Sequence, residues 1–155
     1  MNSIKLLNEN WILKYNGENL NATVPGDVTL DLYENGIIKN PYFGINHKDL
    51  HWVTDTDFEY VNVFDLPDNI FSEEEILLEF DGIDTFAEIT LNGTFLGKTE
   101  NMFLKYSYSV KDLLKRNGNE LVVKMLSTTK KMEGINDEGY FGVFNTKRLF
   151  IRKAQ

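Results

Sequence analysis

The stretch FDGIDTFAEITLNGTFLGKTENMFLKYSYSV, residues 80–110, decides the fold of this chain. It contains Asn92-Gly93 between two apolar runs, and this dipeptide is the strongest short-range signal for a β-hairpin because both turn residues take positive φ. Before the turn, apolar and polar side chains alternate over residues 86–91, as in a strand buried on one face. The stretch therefore predicts a strand that ends at Gly82, a second at 86–91, a short return strand and a fourth at 104–110.

The same turn signal recurs along the chain, which carries Asn-Gly dipeptides at 16–17, 35–36, 92–93 and 117–118. Strand-like runs with alternating apolar residues recur at a spacing of roughly ten residues. Further strands are predicted at 11–15, 58–66 and 121–125, with one more strand-like run at 148–152, and the strand that ends at Gly82 includes the alternating residues 76–80. This pattern indicates an all-β sandwich, and we predict one domain over residues 1–155.

Short helices interrupt the strand pattern at two places. Asp27 is placed to cap a helix that runs to Tyr33 and ends at Asn35-Gly36, where glycine allows a left-handed exit. Residues 111–116 predict a single helical turn. Between these segments, residues 40–46 (NPYFGIN) predict extended, irregular backbone.

The amino-acid composition excludes several kinds of site and several classes of protein. The chain has 155 residues, enough for one domain that buries roughly 70% of its unfolded surface. It has no cysteine, which excludes thiol catalysis, cysteine-bound zinc and disulfides and fits a reducing compartment, so we expect a cytoplasmic location. Residues 1–20 lack a secretory-signal pattern, and no apolar run approaches the ~20 residues of a membrane helix. No membrane partner is expected.

The charge of the chain argues against a nucleic-acid partner. The formal net charge is −8, whereas counterion release from a nucleic acid needs clustered Lys and Arg. Basic residues near the end are interpreted as a solvated strand face: Lys147, Arg148, Arg152 and Lys153. Two N-glycosylation patterns begin at Asn21 and Asn92, and we interpret both as coincidental, the second because its Asn-Gly turn explains it.

The order of short motifs resembles the N-terminal domain of a family 2 glycoside hydrolase of the β-mannosidase type. The matching pieces are, in chain order, VPGDV (24–28), NPYFGIN (40–46), LHWV (50–53), FDGIDT (80–85), LNG (91–93), NMF (101–103) and FIRKAQ (150–155). Each piece is short, but together they extend in order over nearly the whole chain.

The resemblance implies a jelly-roll, galactose-binding-domain-like β-sandwich that binds sugar and packs beside other domains. In that family an α/β barrel supplies the two glutamates of the retaining mechanism, which lie about 5 Å apart across the glycosidic bond. Nothing in this sequence occupies those barrel positions. We therefore expect no catalytic residue, no cofactor and no activity of the chain alone. Family members continue past the RKAQ-like stretch into a Trp/Asp-rich loop and a closing strand, so we expect a sandwich cut before its closing strand.

Three residues are the candidates for contact with a β-linked mannoside or a related sugar: Asn46, Trp52 and Tyr42. An aromatic ring at Trp52, Tyr42 or the neighbouring Phe43 could stack on a sugar, but packing in the core or between domains is the favoured interpretation. Asn46 is assigned through the resemblance, in which an Asn after this segment approaches the substrate pocket.

Acidic residues outside these motifs are explained without catalysis. Glu73, Glu74 and Glu75 are consecutive, so their side chains diverge, and we interpret them as a solvated edge that discourages strand pairing. Asp81 and Asp84 flank a Gly-Ile pair and are expected to bond backbone amides in a turn.

The two histidines have a spacing that can place a metal on a helix, since His47 and His51 are four residues apart. Their context does not predict a helix, and a third ligand would have to come from Asp49, Asp55 or Asp57. We therefore predict no metal site.

The remaining aromatic residues are expected to serve packing. Tyr106, Tyr108 and Phe103 are predicted in or near the core, whereas Tyr140, Phe141 and Phe144 are predicted on a surface that packs on other domains.

Two other functions stay open beside a non-catalytic domain of a β-mannosidase-like hydrolase. One is a stand-alone carbohydrate-binding module, and the other is a structural or adhesive sandwich without sugar contact. A sheet that lacks its closing strand presents unpaired N–H and C=O groups, so we also predict self-association through an open edge strand.

Overall fold

Antiparallel strands dominate the structure, a computed structural model that describes residues 4–133. The strands are β1 (Trp11–Tyr15), β2 (Glu18–Ala22), β3 (Phe58–Phe64), β4 (Leu77–Phe80), β5 (Ala87–Leu91), β6 (Thr94–Thr99), β7 (Tyr106–Ser109) and β8 (Asn119–Met125). The helices are short: α1 (Val28–Glu34), α2 (His51–Thr54) and α3 (Thr128–Met132), with 3₁₀ turns at Asn46–Leu50, Asp68–Ser72 and Lys111–Leu113. None of the helices in the described part of the chain is long and apolar enough to cross a membrane.

The strands form two sheets around one core. Six of them pair antiparallel in the order β2-β1-β3-β8-β5-β6, and β4 pairs with β7. Leu13, Ile89 and Leu121 are almost fully buried on the inner face of the larger sheet. Leu78 of β4 and Tyr108 of β7 pack against that cluster from the smaller sheet. This arrangement confirms the predicted all-β sandwich.

The predicted Asn92-Gly93 hairpin is confirmed in detail. Asn92 and Gly93 have φ of 51° and 81°, and they join β5 to β6. Ala87, Ile89 and Leu91 are all buried on the inner face, as the alternation predicts. Local turn chemistry and period-two alternation therefore account for this part of the fold.

Predicted element bounds agree with the structure to within a few residues. The first strand is β1 as predicted, and Asp27 caps α1 by accepting a hydrogen bond from Leu30 N at 3.1 Å. The strand predicted at 104–110 is shorter, because only Tyr106–Ser109 pairs with β4. The predicted helical turn at 111–116 is a 3₁₀ turn over Lys111–Leu113.

Three predictions are wrong. Residues 40–46 form consecutive turns rather than extended backbone, since Phe43 N donates to Asn40 O and Asn46 N donates to Phe43 O. The histidine segment is helical, since the 3₁₀ turn Asn46–Leu50 runs directly into α2. Phe103 is not a core residue, because 70% of it is exposed. The predictions for residues 134–155, namely the basic run, the aromatic cluster, the last strand and the missing closing strand, lie outside the described residues.

A row of five charges with alternating sign crosses the outer face of the larger sheet. The strand registers place these side chains opposite one another in the order Lys14, Glu59, Lys124, Glu88 and Lys98. Lys98 Nζ lies 2.9 Å from the Glu88 carboxylate, and this hydrogen bond, followed by the charge of Lys98, lowers the pKa of Glu88. Opposite charges directly across strands stabilise a sheet. Because such a row stays hydrated, it marks the solvent face of the sandwich.

A buried amide network ties the Asn92 turn to the start of β8. Asn119 is fully buried, and its Nδ2 donates to Lys115 O at 2.6 Å and to Phe64 O at 3.3 Å. Its Oδ1 accepts from Lys115 N and from Asn92 Nδ2, at 2.8 and 3.0 Å. Asn92 Nδ2 also donates to Leu113 O at 2.7 Å, so glycosylation of Asn92 would disrupt two hydrogen bonds. The geometry supports a structural interpretation of that sequence pattern.

Candidate functional site

Four of the motifs that are far apart in the sequence converge on one open cavity. The cavity has a volume of about 1090 Å³ and is lined from residues 23–29, 41–54 and 80–85, with Trp11, Tyr60, Val123, Met125 and Thr128. The lining combines aromatic and aliphatic side chains with Thr, Asp and His side chains, and small-molecule sites commonly join apolar walls to polar groups in this way. The cavity is therefore the candidate functional site of the described residues.

One wall of the cavity depends on a buried carboxylate. Asp31 of α1 is 1% exposed, and its Oδ2 accepts a hydrogen bond from Tyr60 Oη at 2.6 Å. Its Oδ1 accepts from Thr23 N at 2.9 Å. Burial and, after it, the hydrogen bond to Asp31 raise the pKa of Tyr60 well above its ordinary value. Asp31 thus holds α1 and the Thr23 backbone against β3.

Two glycines allow the cavity walls to approach neighbouring backbone closely. A Cβ on Gly26 would collide with Thr23 O, and a Cβ on Gly82 would lie 2.6 Å from Met102 O. Each position therefore requires glycine for close approach rather than for a turn. This is the physical reason for glycine in the VPGDV and FDGIDT motifs.

The 40–46 loop forms part of the cavity rim and is closed by its own hydrogen bonds. Asn40 Oδ1 accepts from Tyr42 N at 2.9 Å, and Asn40 O accepts from Asn46 Nδ2 at 2.9 Å. Asn46 N donates to Phe43 O at 3.3 Å. Pro41 of this loop is buried and lines the cavity. The loop is therefore held by internal contacts rather than by a regular element.

The three predicted substrate residues have different positions. Tyr42 lines the cavity and is 81% exposed. Asn46 is half-buried, with its amide bonded inside the loop. Trp52 is half-buried and packs on Tyr15 and Phe58, with ring centroids 5.5 and 6.4 Å away. The structure thus brings Tyr42 to the cavity and Trp52 into an aromatic cluster, and sugar contact by any of the three stays a prediction.

Both histidines line the cavity from consecutive helical turns, and both are exposed. Asp57, one of the considered third ligands, instead accepts from Ser127 N at 2.8 Å. Within residues 4–133, no group of three or more His, Asp or Glu side chains is arranged to hold a metal ion.

The acidic candidates have structural partners. Asp81 forms an exposed ion pair with Lys105 at 3.7 Å, and Asp84 accepts a hydrogen bond from the Thr85 hydroxyl. Thr85 O in turn accepts from Thr99 Oγ1 at 2.9 Å, which joins this segment to β6. Glu73, Glu74 and Glu75 precede β4, as predicted. These contacts explain the acidic residues without acid–base chemistry.

Sequence reasoning missed Asp31 and Tyr60 as residues that shape the site. One signal was available for Asp31, since it lies beside Leu32 on the inward face of a capped helix, where a carboxylate needs a partner. Nothing local identifies Tyr60 as that partner, because 29 residues separate the two.

Comparison with known proteins decides the family. Residues 11–155 match the family described as glycosyl hydrolase 2 galactose-binding domain-like. The chain belongs to this family. The match confirms the galactose-binding-domain-like β-sandwich and the resemblance on which the sugar-binding interpretation depends.

Several relatives of this family 2 domain are β-mannosidases. A probable β-mannosidase of Caenorhabditis elegans is 35% identical over 99% of the chain and 19% of its own length. β-Mannosidase B of Thermothelomyces thermophilus is 36% identical over 84% of the chain and 16% of its own length. The crystal structure of β-D-mannosidase from Dictyoglomus thermophilum has 42% identity and a TM-score of 0.77, covering 79% of this chain and 15% of that one.

The family 2 domain therefore spans less than a fifth of the length of these three relatives. It corresponds to the N-terminal domain of β-mannosidase-like family 2 enzymes.

Proposed function

We propose that the chain acts as the non-catalytic sugar-binding domain of a β-mannosidase-like glycoside hydrolase. In this role it shapes the rim of the substrate pocket for a β-linked mannoside or related sugar and packs on the catalytic barrel. The strongest support for the proposal is that four family motifs line one cavity. Motifs that are separate in the sequence thus form a single site.

The acidic groups at the cavity support a binding role rather than bond cleavage. A retaining glycosidase needs two carboxyl groups about 5 Å apart, one as acid and one as nucleophile. Asp27 at this cavity caps α1, and Asp84 bonds the Thr85 hydroxyl. Because both carboxylates accept these hydrogen bonds, they hold the chain segments that shape the cavity. In the proposed enzyme, the two carboxyl groups that cleave the glycosidic bond therefore lie in the barrel.

We expect purified chain to show no hydrolysis of a nitrophenyl β-mannoside and no binding of mannobiose in calorimetric titration, because the substrate pocket is completed by the barrel. Turnover in a preparation free of contaminating glycosidase would contradict the proposal.

The alternative, a stand-alone carbohydrate-binding module, is favoured by one feature, the exposed Tyr42 ring at the cavity. Millimolar binding of mannobiose that is lost in Tyr42→Ala would support this alternative. The matched control is Phe95→Ala, since Phe95 is 55% exposed on β6, where it pairs with Thr90 away from the cavity lining.

We also propose that the isolated chain self-associates through an edge strand, either β6 of the larger sheet or a strand of the β4–β7 sheet. The β2 edge is covered, because the Asn35 side chain bonds both Asn21 O and Asn21 N, at 2.8 and 3.1 Å. The β4–β7 sheet has only two strands among residues 4–133, so each has an outer edge without a described partner strand. Sedimentation should show a concentration-dependent dimer, and a strict monomer at high concentration would rule this out.

A further inference from the structure

Three large apolar side chains project from the 40–46 loop beside the cavity. Tyr42, Phe43 and Ile45, together called the apolar knuckle, are 81%, 75% and 70% exposed. Single exposed apolar residues are ordinary on a protein surface, but a contiguous group of this size marks a contact surface. The knuckle therefore needs a partner.

The loop presents the knuckle in a fixed arrangement. Asn40 and Asn46 direct their polar groups into the loop, where they bond Tyr42 N and Asn40 O. The turn continues directly into the 3₁₀ helix, with Lys48 N donating to Ile45 O at 3.0 Å. A loop ordered before contact loses little conformational entropy on docking, which favours packing against another protein surface.

The side chains of the knuckle indicate which kind of partner contacts it. A sugar is held by convergent hydrogen-bonding groups, whereas the side-chain hydrogen bonds of Asn40 and Asn46 turn into this loop and its apolar groups turn outward. A second copy of the chain would bring another net charge of −8, and three side chains fall far short of the roughly 800 Å² that each partner contributes to a stable interface.

An apolar surface elsewhere in the same polypeptide fits better. Such an interface needs no large area, because a covalent linkage raises the effective concentration of the partner surface. The three named relatives devote more than four fifths of their length to residues outside the match, so they carry ample protein surface for this role.

We propose that the apolar knuckle is the surface through which this domain packs on the remaining domains of a β-mannosidase-type polypeptide. The contact is mainly apolar and lies at the cavity rim, so it places the cavity at the junction between domains. This inference rests on the proposed function and adds to it the surface that carries the packing.

The test compares the same substitutions in two settings. One is the isolated chain, and the other is a full-length Dictyoglomus thermophilum β-mannosidase in which this chain replaces the matching segment. The test variant is Phe43→Ser with Ile45→Ser, which leaves Tyr42 intact. The matched control is Phe95→Ser, an exposed aromatic residue in the outer-face row beside the row of charges.

In the isolated chain, both variants should leave the unfolding temperature within about 2 °C of the parent, because the altered side chains are exposed. In the chimera, the knuckle variant should lower the first unfolding transition by about 5–10 °C, and the control should leave it unchanged. Equal losses in both settings, or no loss in the chimera, would overturn the inference.

The activity of the unmodified chimera separates this inference from the proposed function. Hydrolysis of a nitrophenyl β-mannoside with no effect of the knuckle variant on stability would retain the proposed function and reject the docking surface. A folded chimera without activity would reject the proposed function and, with it, the inference.

Discussion

Replacing Asp31 with leucine should lower the free energy of unfolding by about 2–5 kcal/mol, since it leaves one buried and one part-buried donor without an acceptor. The donors are Tyr60 Oη and Thr23 N, which now lie 2.6 and 2.9 Å from the carboxylate. A leucine of similar size fills the space but accepts no hydrogen bond. The loss should appear as a lower urea midpoint at an unchanged slope.

A control variant on α1 separates the loss of a buried carboxylate from the loss of an exposed one. Glu34→Leu changes an exposed acidic residue of α1 and should shift stability by no more than about 0.5 kcal/mol. Asp31→Asn keeps an acceptor for Thr23 N and should lose less than the leucine variant. Equal effects of the Asp31 and Glu34 variants would contradict the role assigned to the buried carboxylate.

The raised pKa of Tyr60 extends this prediction to alkaline pH. The folded state holds the phenolic proton of Tyr60 more tightly than the unfolded state does. The contribution of protonated Tyr60 to stability is therefore complete below pH 10.0, the ordinary pKa of tyrosine, and is lost as the pH rises above that value. The Tyr60→Phe variant should lose less stability than the parent above that pH. Parallel curves for the two proteins would show that Tyr60 does not contribute.

Replacing Asn119 with alanine should lower the free energy of unfolding by about 2–4 kcal/mol, because a fully buried amide with both donor and acceptor bonds is removed. Its loss leaves Lys115 N, Lys115 O and the Asn92 amide without their side-chain partner. Thermal or urea unfolding measures the effect, and β8 and the Asn92 turn should show the largest gain in hydrogen exchange.

Two further variants test the network around Asn119. Asn119→Asp keeps the shape and one acceptor but removes the Nδ2 donors and buries a charge, so it should also be strongly destabilising. Glu120→Ala alters an exposed neighbouring side chain and should be nearly neutral. A neutral Asn119→Asp would argue against the donor bonds to Lys115 O and Phe64 O.

The parts of the fold that the sequence predicts are those with local causes. The Asn92-Gly93 hairpin follows from two residues that tolerate positive φ, and α1 follows from its Asp27 cap. The helical segment at 46–54 has no such signal, since neither Ile45 nor Leu50 supplies a side-chain cap. The Asn101 side chain accepts a bond from Phe103 N, in a turn that leaves the Phe103 ring exposed where alternation would bury it.

The residues that organise the site depend on contacts between distant parts of the chain. Asp31 and Tyr60 are 29 residues apart, and Asn92 and Asn119 are 27 apart. A single sequence shows that a buried polar residue needs a partner, but it does not show which one. The close approaches at Gly26 and Gly82 are likewise visible only once the backbone of Thr23 and Met102 is placed.

The most direct test of the account is the activity of the Dictyoglomus thermophilum chimera beside that of the isolated chain. If the chain is a scaffold for chemistry carried by a barrel, the chimera hydrolyses a nitrophenyl β-mannoside and the isolated chain does not. Hydrolysis by the isolated chain, or a folded chimera that cannot cleave the substrate, would contradict that claim.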